Sequence, residues 1–235
     1  MLFFNERYDQ IIKILKERNG ATVLYLANHL HVSQPTIRRD LTLLERDGII
    51  KRTFGGAVIS DTKTSEISLL VRESEQNKEK DILAQMALKY ISDESVLFLD
   101  ASSTVSRIIK YLPKFSNLTV ITNSPKNSLK LAELHIKSFC TGGLMLENSI
   151  AYVGRLAESF ITNFNADVFF LSSRGITEDG EITDSSLDET LIRKIMMKQS
   201  KKKIMLCTNN KIGQKYPYNL CNVDDVDEII YGLNK

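Results

Sequence analysis

Residues Ser33–Asp47 read S-Q-P-T-I-R-R-D-L-T-L-L-E-R-D, and Gly48 follows them. Ser33 stands where a helix N-cap belongs, because its hydroxyl can accept from an otherwise unpaired amide of the first turn. Pro35 falls in that turn, where a missing N–H loses no hydrogen bond. Gly48 follows the last periodic residue, the usual place of a left-handed C-terminal cap. Between these caps Ile37, Leu41 and Leu44 recur at helical spacing as one inward stripe. At about 100° per residue, Arg39, Thr42 and Arg46 lie opposite that stripe, with Arg38 on its flank. A short capped helix with guanidinium groups outward suits a DNA major groove, Arg serving phosphates or guanine edges and Gln34 and Thr36 serving base edges.

Working outward, Tyr8, Ile11, Ile12 and Leu15 define an earlier helix that stops at Asn19-Gly20. A second helix starts behind Thr22, with Val23, Leu26, Ala27 and Leu30 as its inner face. His31-Val32-Ser33 is too short to do anything but fold one helix against the next, so residues 21–40 read as a helix-turn-helix. After Gly48, I-I-K-R-T-F-G-G-A-V-I-S places two β-prone runs on either side of Gly55-Gly56, a hairpin that forms a wing. The DNA-binding candidates are therefore Ser33, Gln34, Pro35, Thr36, Arg38 and Arg39 on the helix and Lys51 and Arg52 on the wing.

Charge supports that assignment. The net +2 of the 235 residues divides into +3 for residues 1–60 and −1 for the rest, a basic head on a neutral body. The length favours two domains, and 43% hydrophobic with 26% charged residues is ordinary for a globular protein. No apolar run is long enough to cross a bilayer, and M-L-F-F-N-E-R-Y lacks the pattern of a signal peptide. The expectation is a cytoplasmic protein with no membrane partner. Cys140, Cys207 and Cys221 form no C-x-x-C pair, and with His29, His31 and His135 they complete no ligand set, so neither metal nor cofactor is expected. Cys140 and Cys207 sit in apolar runs and read as buried thiols.

Residues 61–77 are polar and read as a linker, leaving 1–60 as the DNA-binding domain and 78–235 as a second domain. In the latter, Glu79–Ile91 reads as a helix with Ile82, Leu83, Met86, Ala87 and Tyr90 inside. Strand candidates Val96–Leu99, Leu118–Thr122, Ile136–Thr141, Val168–Ser172, Lys203–Cys207 and Glu228–Tyr231 alternate with helices near 103–112, 125–134, 155–164 and 187–200. That alternation predicts a doubly wound α/β domain on a mostly parallel sheet. Such sheets bind ligands beyond the carboxyl ends of their strands. There this sequence carries Asp100-Ala101-Ser102-Ser103-Thr104, Thr122-Asn123-Ser124, Thr141-Gly142-Gly143 and Thr208-Asn209-Asn210-Lys211-Ile212-Gly213. Hydroxyls, amides, glycines and a lysine on one rim suit a small polyhydroxylated, phosphorylated ligand.

V-S-Q-P-T-I-R-R-D-L followed by L-E-R-D-G-I-I-K-R-T-F-G-G-A-V resembles the head of the DeoR family of bacterial transcriptional regulators, and the likeness continues over nearly the whole chain. It implies a winged helix-turn-helix joined to a sensor domain similar to the ribose-5-phosphate isomerase fold, which binds phosphosugars. The family's D-A-G-S/T-T loop corresponds to Asp100–Thr104, its T-N-S to Thr122–Ser124, its G-G to Gly142-Gly143, its V-G-x-L-A-E to Val153–Glu158, its Glu-headed helix to the run from Glu189, and its D-x-S-K-F-G loop to Thr208–Gly213. The effector candidates are Asp100, Ser102, Ser103, Thr104, Thr122, Asn123, Gly142, Gly143, Arg174, Glu189 and Lys211. Three residues depart from the family pattern: Ser102 replaces a glycine, Thr208 an aspartate, and Arg174 a small residue. The resemblance implies a homo-oligomeric regulator, a repressor of a carbohydrate-use operon, released or engaged by a phosphorylated sugar. An activator would use the same residues, and a phosphosugar isomerase with a DNA-binding head, using Asp100 and Glu189 as carboxylate bases, is the enzymatic alternative.

Overall fold

Asn19 and His31, at φ of 55° and 54°, break the first forty residues into three helices. In the computed structural model, which describes residues 4–46, 49–59 and 69–232, these are α1 (Phe4–Arg18), α2 (Val23–His29, preceded by a short strand β1, Ala21–Thr22) and α3 (Gln34–Arg46). Thr22 caps α2 by accepting from Tyr25 N–H at 3.1 Å. Ser33 caps α3 by accepting from Thr36 N–H at 3.3 Å. Ile37, Leu41 and Leu44 are fully buried with Ile11, Leu15 and Leu26, so the inward stripe read from the sequence is the core of the head. The expected glycine cap at Gly48 and residues 61–68 of the expected linker lie outside the described residues.

The wing follows as β2 (Ile50–Thr53) and β3 (Gly56–Ile59), antiparallel, with Thr53 opposite Gly56. The two-residue turn is therefore Phe54-Gly55, not the Gly55-Gly56 pair that the sequence suggested. Gly55 supplies the positive φ of 82°, whereas Gly56 is needed for another reason. β1 pairs with β3 and brings the Ala21 carbonyl oxygen where a Cβ on Gly56 would sit. A short helix α4 (Leu69–Ser74) stands within the stretch read as linker, and the chain divides into compact units Met1–Ser74 and Glu75–Lys235.

The second unit runs α5 (Asn77–Ala87), β4 (Val96–Leu99), β5 (Thr119–Thr122), α6 (Pro125–Glu133), β6 (Lys137–Cys140), β7 (Leu144–Leu146), β8 (Ala151–Val153), α7 (Arg155–Ile161), β9 (Ala166–Leu171), β10 (Gly175–Ile176), β11 (Glu181–Asp184), α8 (Leu187–Lys198), β12 (Ser200–Cys207), β13 (Tyr218–Asn222) and β14 (Glu228–Tyr231). The six strands read from the sequence form one sheet in the order β14-β12-β9-β4-β5-β6, every pairing parallel. Its strands alternate between two cores, as period-two geometry requires. Leu97, Leu99, Val168, Phe170, Ile204 and Leu206 face α5 and α6. Phe98, Phe169, Leu171 and Met205 face α7 and α8. A sheet buried on both faces explains the continuous apolar runs.

Three details differ from expectation. The segment near 103–112 is a 3-10 helix, Val105–Lys114, with Pro113 near its end. On α5 the buried residues are Lys80, Leu83, Ala84 and Ala87, while Ile82 and Met86 are more than a third exposed, so the helix is rotated from the face that apolarity alone suggested. A small antiparallel sheet, β10-β11-β13, and the β7–β8 hairpin had no signal strong enough to separate them from loops.

Candidate functional site

On the head, Arg38, Arg39, Thr42 and Arg46 are exposed on the outer side of α3, and Lys51 and Arg52 are exposed on β2. Ser33, Gln34 and Pro35 are exposed at the amino end of α3 and Thr36 is half-buried. Helix and wing are joined: Arg52 donates from Nη1 to Thr42 Oγ1 at 3.3 Å, and its backbone N–H donates to Glu45 Oε1 at 2.9 Å. Sequence reading missed the residue that fixes the helix from behind. Asp40, 1% exposed, accepts from Arg7 Nε at 2.6 Å and Nη2 at 3.1 Å, so a bidentate pair ties α3 to α1. That pair holds the Arg7 pKa above its ordinary value, chiefly through the hydrogen bond to Asp40.

In the second unit the strand order reverses between β4 and β9, a topological switch point, and the rim residues meet beyond the carboxyl ends there. Asp100, directly after β4, accepts from Ser102 N–H at 2.9 Å through Oδ1 and from Ser172 N–H at 3.0 Å through Oδ2. The same Oδ2 accepts from Arg193 Nε at 2.9 Å. Asp100 thus crosses the switch point and holds both loops. Ser172 donates its hydroxyl to the Leu206 carbonyl at 2.6 Å and receives Lys211 Nζ at 2.6 Å. The chain of contacts therefore runs from β4 through β9 to the loop after β12. Ser102, Ser103 and Thr104 are buried at the start of the 3-10 helix, where Ser102 Oγ accepts from Val105 N–H at 3.2 Å.

Arg193 is the principal residue that the sequence reading overlooked. It is 3% exposed and meets Asp100 at 2.9 Å, Asp184 at 2.9 Å and Glu189 at 3.3 Å. Burial by itself would lower its pKa, but the Asp184, Glu189 and Asp100 charges outweigh that and raise it. Its i, i+4 spacing from Glu189 was the one signal available; Asp184 gave none. With three carboxylates around one guanidinium, this side of the site repels anions. The nearby cations are Lys211 and Arg174. Burial pushes the Lys211 ammonium down to about 8, and Arg174 pushes it the same way, against Cys207, Asp100 and Asp184.

Thr122 Oγ1 accepts from Ser124 N–H at 3.1 Å, and Asn123 Nδ2 donates to the Tyr152 carbonyl at 3.1 Å. Asn123 Oδ1 is buried with no hydrogen-bond partner among the described residues. Gly142 and Gly143 carry the chain from β6 into the β7–β8 hairpin, and a Cβ on Gly143 would strike the Val153 carbonyl, so its backbone geometry requires a glycine. Glu189 is engaged by Arg193 and stands apart from Lys211 in role. Cys207 is fully buried as expected, but Cys140 is only partly so. A cavity of about 540 Å³ opens at the other, amino-terminal end of β5 and β6, lined by residues including Phe115, Leu118, His135 and Lys137, and it contains none of the candidate residues.

A winged helix-turn-helix with an exposed basic helix, followed by a separate α/β unit on a parallel sheet, is the architecture of a DNA-binding regulator. The chain belongs to the DeoR family: residues 7–63 match the DeoR-like helix-turn-helix domain and residues 75–232 the DeoR C terminal sensor domain. It is 34% identical over 226 residues, 96% of this chain and 87% of the other, to the uncharacterized HTH-type transcriptional regulator YulB of Bacillus subtilis. It is 30% identical to the L-fucose operon activator of Haemophilus influenzae, over 96% of this chain and 90% of that one. A D-ribose-5-phosphate isomerase bound to phospho-erythronic acid superposes with a TM-score of 0.45 at 19% identity, covering 58% of this chain and 54% of that one. The protein is a transcriptional regulator, not an enzyme. Among the described residues no helix is long and apolar enough to cross a membrane.

Proposed function

We propose that this regulator represses a carbohydrate-use operon and that a phosphorylated sugar, bound over the carboxyl ends of β4, β9 and β12, sets its affinity for the operator. The observation that carries the reading is the bond from Lys211 Nζ to Ser172 Oγ, with Ser172 and the buried loop Ser102–Thr104 both held by Asp100. A cation held by a hydroxyl in a partly buried place is ready to exchange that partner for a phosphate. The three carboxylates on Arg193 repel the phosphate and leave Lys211 and Arg174 as its side of the site. The unpartnered Asn123 Oδ1 suits a sugar hydroxyl, because a buried acceptor without a donor is unfavourable.

Repression is the simpler sign. Occupying an operator is enough to block transcription, whereas activation also needs a surface for the polymerase. Residues 1–60 read the DNA through α3 and the wing, and two copies read paired half-sites. A second copy has a face available in the sensor unit. Phe139, Phe164 and Phe160 form a string with ring centroids 5.2 and 5.3 Å apart, continued on α7 by Leu156, which is 77% exposed.

The test is a thermal-shift titration of the full chain with glucose 6-phosphate, ribose 5-phosphate and inorganic phosphate, since a ligand that binds only the folded state raises the melting temperature. Lys211→Ala should keep operator binding in the absence of ligand and lose the shift. Full response by Lys211→Ala would remove that lysine from the site.

A further inference from the structure

Two contacts outside the rim fasten its loops to the first turns of α5. Glu79 Oε1 accepts from Asn209 N–H at 2.8 Å. Asn209 opens the single 3-10 turn, Asn209–Lys211, that carries the rim lysine, and Lys211 N–H closes on the Thr208 carbonyl at 3.0 Å. The second contact starts from the hydroxyl loop. Arg107 donates its backbone N–H to the Thr104 carbonyl at 3.2 Å, its Nη2 to Asn77 Oδ1, and places Nη1 3.8 Å from Asp81. Lys110, from the same 3-10 helix, reaches the same Asp81 carboxylate at 2.8 Å.

Asn77 and Asp81 share one side of α5, four residues apart, while Glu79 lies about 200° round from Asn77. The two loops that would grip a phosphate therefore hold α5 from opposite sides of its amino end. That end is where the chain enters the sensor unit: only Glu75 and Gln76, the latter at φ of 54°, separate α5 from α4 of the first unit. Gly232, after β14, closes the back of the contact, since a Cβ there would enter the Glu79 carboxylate.

We infer that Glu79 and Arg107 are positioning residues that transmit the state of the Lys211 turn and the Ser102–Thr104 loop to α5, and so to the connection with the DNA-binding head. This rests on the phosphosugar reading given above. A ligand changes operator affinity only through interactions that differ between two states. When Lys211 exchanges the Ser172 hydroxyl for phosphate, the turn moves with it and the Asn209 N–H moves against Glu79. When the hydroxyl loop closes on the same phosphate, Arg107 moves against Asn77 and Asp81. Both displacements act on one rigid helix.

The experiment measures the operator dissociation constant of the full chain with and without whichever of glucose 6-phosphate, ribose 5-phosphate or inorganic phosphate gives the largest thermal shift. In the unaltered protein the ligand should change operator affinity by a factor on the order of 5–150. In Glu79→Ala and Arg107→Ala that factor should fall towards one, while the ligand's thermal shift and the ligand-free operator affinity persist. Glu79→Gln, which keeps the accepting oxygen, should restore the response; a purely structural role for Glu79 predicts instead that Glu79→Ala loses ligand binding or ligand-free operator affinity along with the factor. Amide exchange in the unaltered protein needs no variant: ligand should change protection in residues 77–83. An unchanged factor in both alanine variants, loss of ligand binding along with the factor, or unaltered protection across 77–83 would each overturn the inference. Absence of any thermal shift in the unaltered protein would sink the effector reading and this inference with it, whereas a shift with intact coupling in the variants sinks this inference alone.

Discussion

Arg193 Nε stands 2.9 Å from Asp100 Oδ2, joining two residues 93 positions apart across the reversal in strand order. The same guanidinium reaches Asp184 and Glu189, so one side chain binds the loop after β4, the end of β11 and the first turn of α8. The three buried carboxylates have even partial compensation only while that cation is present. Removing one partner of such a cluster leaves the others buried without compensation.

Arg193→Leu should therefore destabilise the sensor unit by about 3–5 kcal/mol. Arg193→Lys should recover only part of this, because a compact ammonium cannot serve three carboxylates at once. Urea denaturation of the three proteins measures both differences. A loss under about 1 kcal/mol for Arg193→Leu would mean that the cluster stabilises little on balance.

Recognition of DNA is expected to divide between Arg38 and Arg39, which leave α3 at different angles. One should read a base edge, so that its replacement by alanine weakens operator binding by about 1–3 kcal/mol and relaxes specificity. The other should contact phosphate, and its loss should reduce the salt slope by about one. Operator titrations at several salt concentrations separate the two. Unchanged affinity and slope in the doubly substituted protein would reject α3 as the reading helix.

Asp40 offers a test of how α3 is held, free of any contact with DNA. Asp40→Asn keeps shape but removes the charge that Arg7 needs at 2.6 Å. Hydrogen bonds to charged groups contribute about 1.5–3 kcal/mol, and the head should lose stability in that range. Equal stability of Asp40→Asn and the unaltered protein would show that the pair is dispensable.

The sheet strands were legible because fully buried parallel strands leave uninterrupted apolar runs, and the head because caps and stripe agreed at Thr22, Ser33, Ile37, Leu41 and Leu44. What was illegible depended on partners far away in sequence. Asp40 and Arg193 stand out in no local pattern, since nothing nearby in sequence shows that Arg7 or Asp100 and Asp184 will reach them. The wing turn was displaced by one residue because Gly55 and Gly56 look alike in sequence; only the approach of Ala21 distinguishes them. The rotation of α5 had a similar cause: Lys80 is buried, and Ile82 and Met86 are partly exposed, by contacts that helical periodicity does not contain.

Pairing of copies should depend on the string Phe139, Phe164, Phe160 and Leu156. Leu156→Glu places a charge at its most exposed member, 77% accessible, without disturbing a core. Sedimentation should show the variant shifted towards monomer. Its operator affinity should fall by a factor on the order of 100 or more, since linked heads gain effective concentration. An unshifted oligomer would place the contact elsewhere.

With Lys211 as the proposed phosphate contact, the effector response should depend on pH. Burial lowers its pKa from 10.5 to about 8 in the ligand-free protein. A phosphate monoester, with its second pKa near 6, is a dianion over the window that matters. Near pH 7, about a unit from either pKa, the phosphate is mostly dianionic and the lysine mostly charged, so affinity should be highest there. Above about 8 the free protein loses the proton that the complex retains, so affinity should fall, approaching tenfold per unit until the pKa of the complex is reached. Ligand-free stability should move the other way. From about 8 to 10.5 the unfolded chain holds the lysine proton more tightly than the folded one, so stability rises with pH in that interval. Lys211→Arg stays charged throughout and should remove the fall. Isothermal titration of the best-binding phosphosugar from pH 6.5 to 9.5, on the unaltered protein and Lys211→Arg, reads the difference directly. Affinity that stays level to pH 9.5 in the unaltered protein would take Lys211 out of the phosphate contact and leave Arg174 and the loop hydroxyls to carry it.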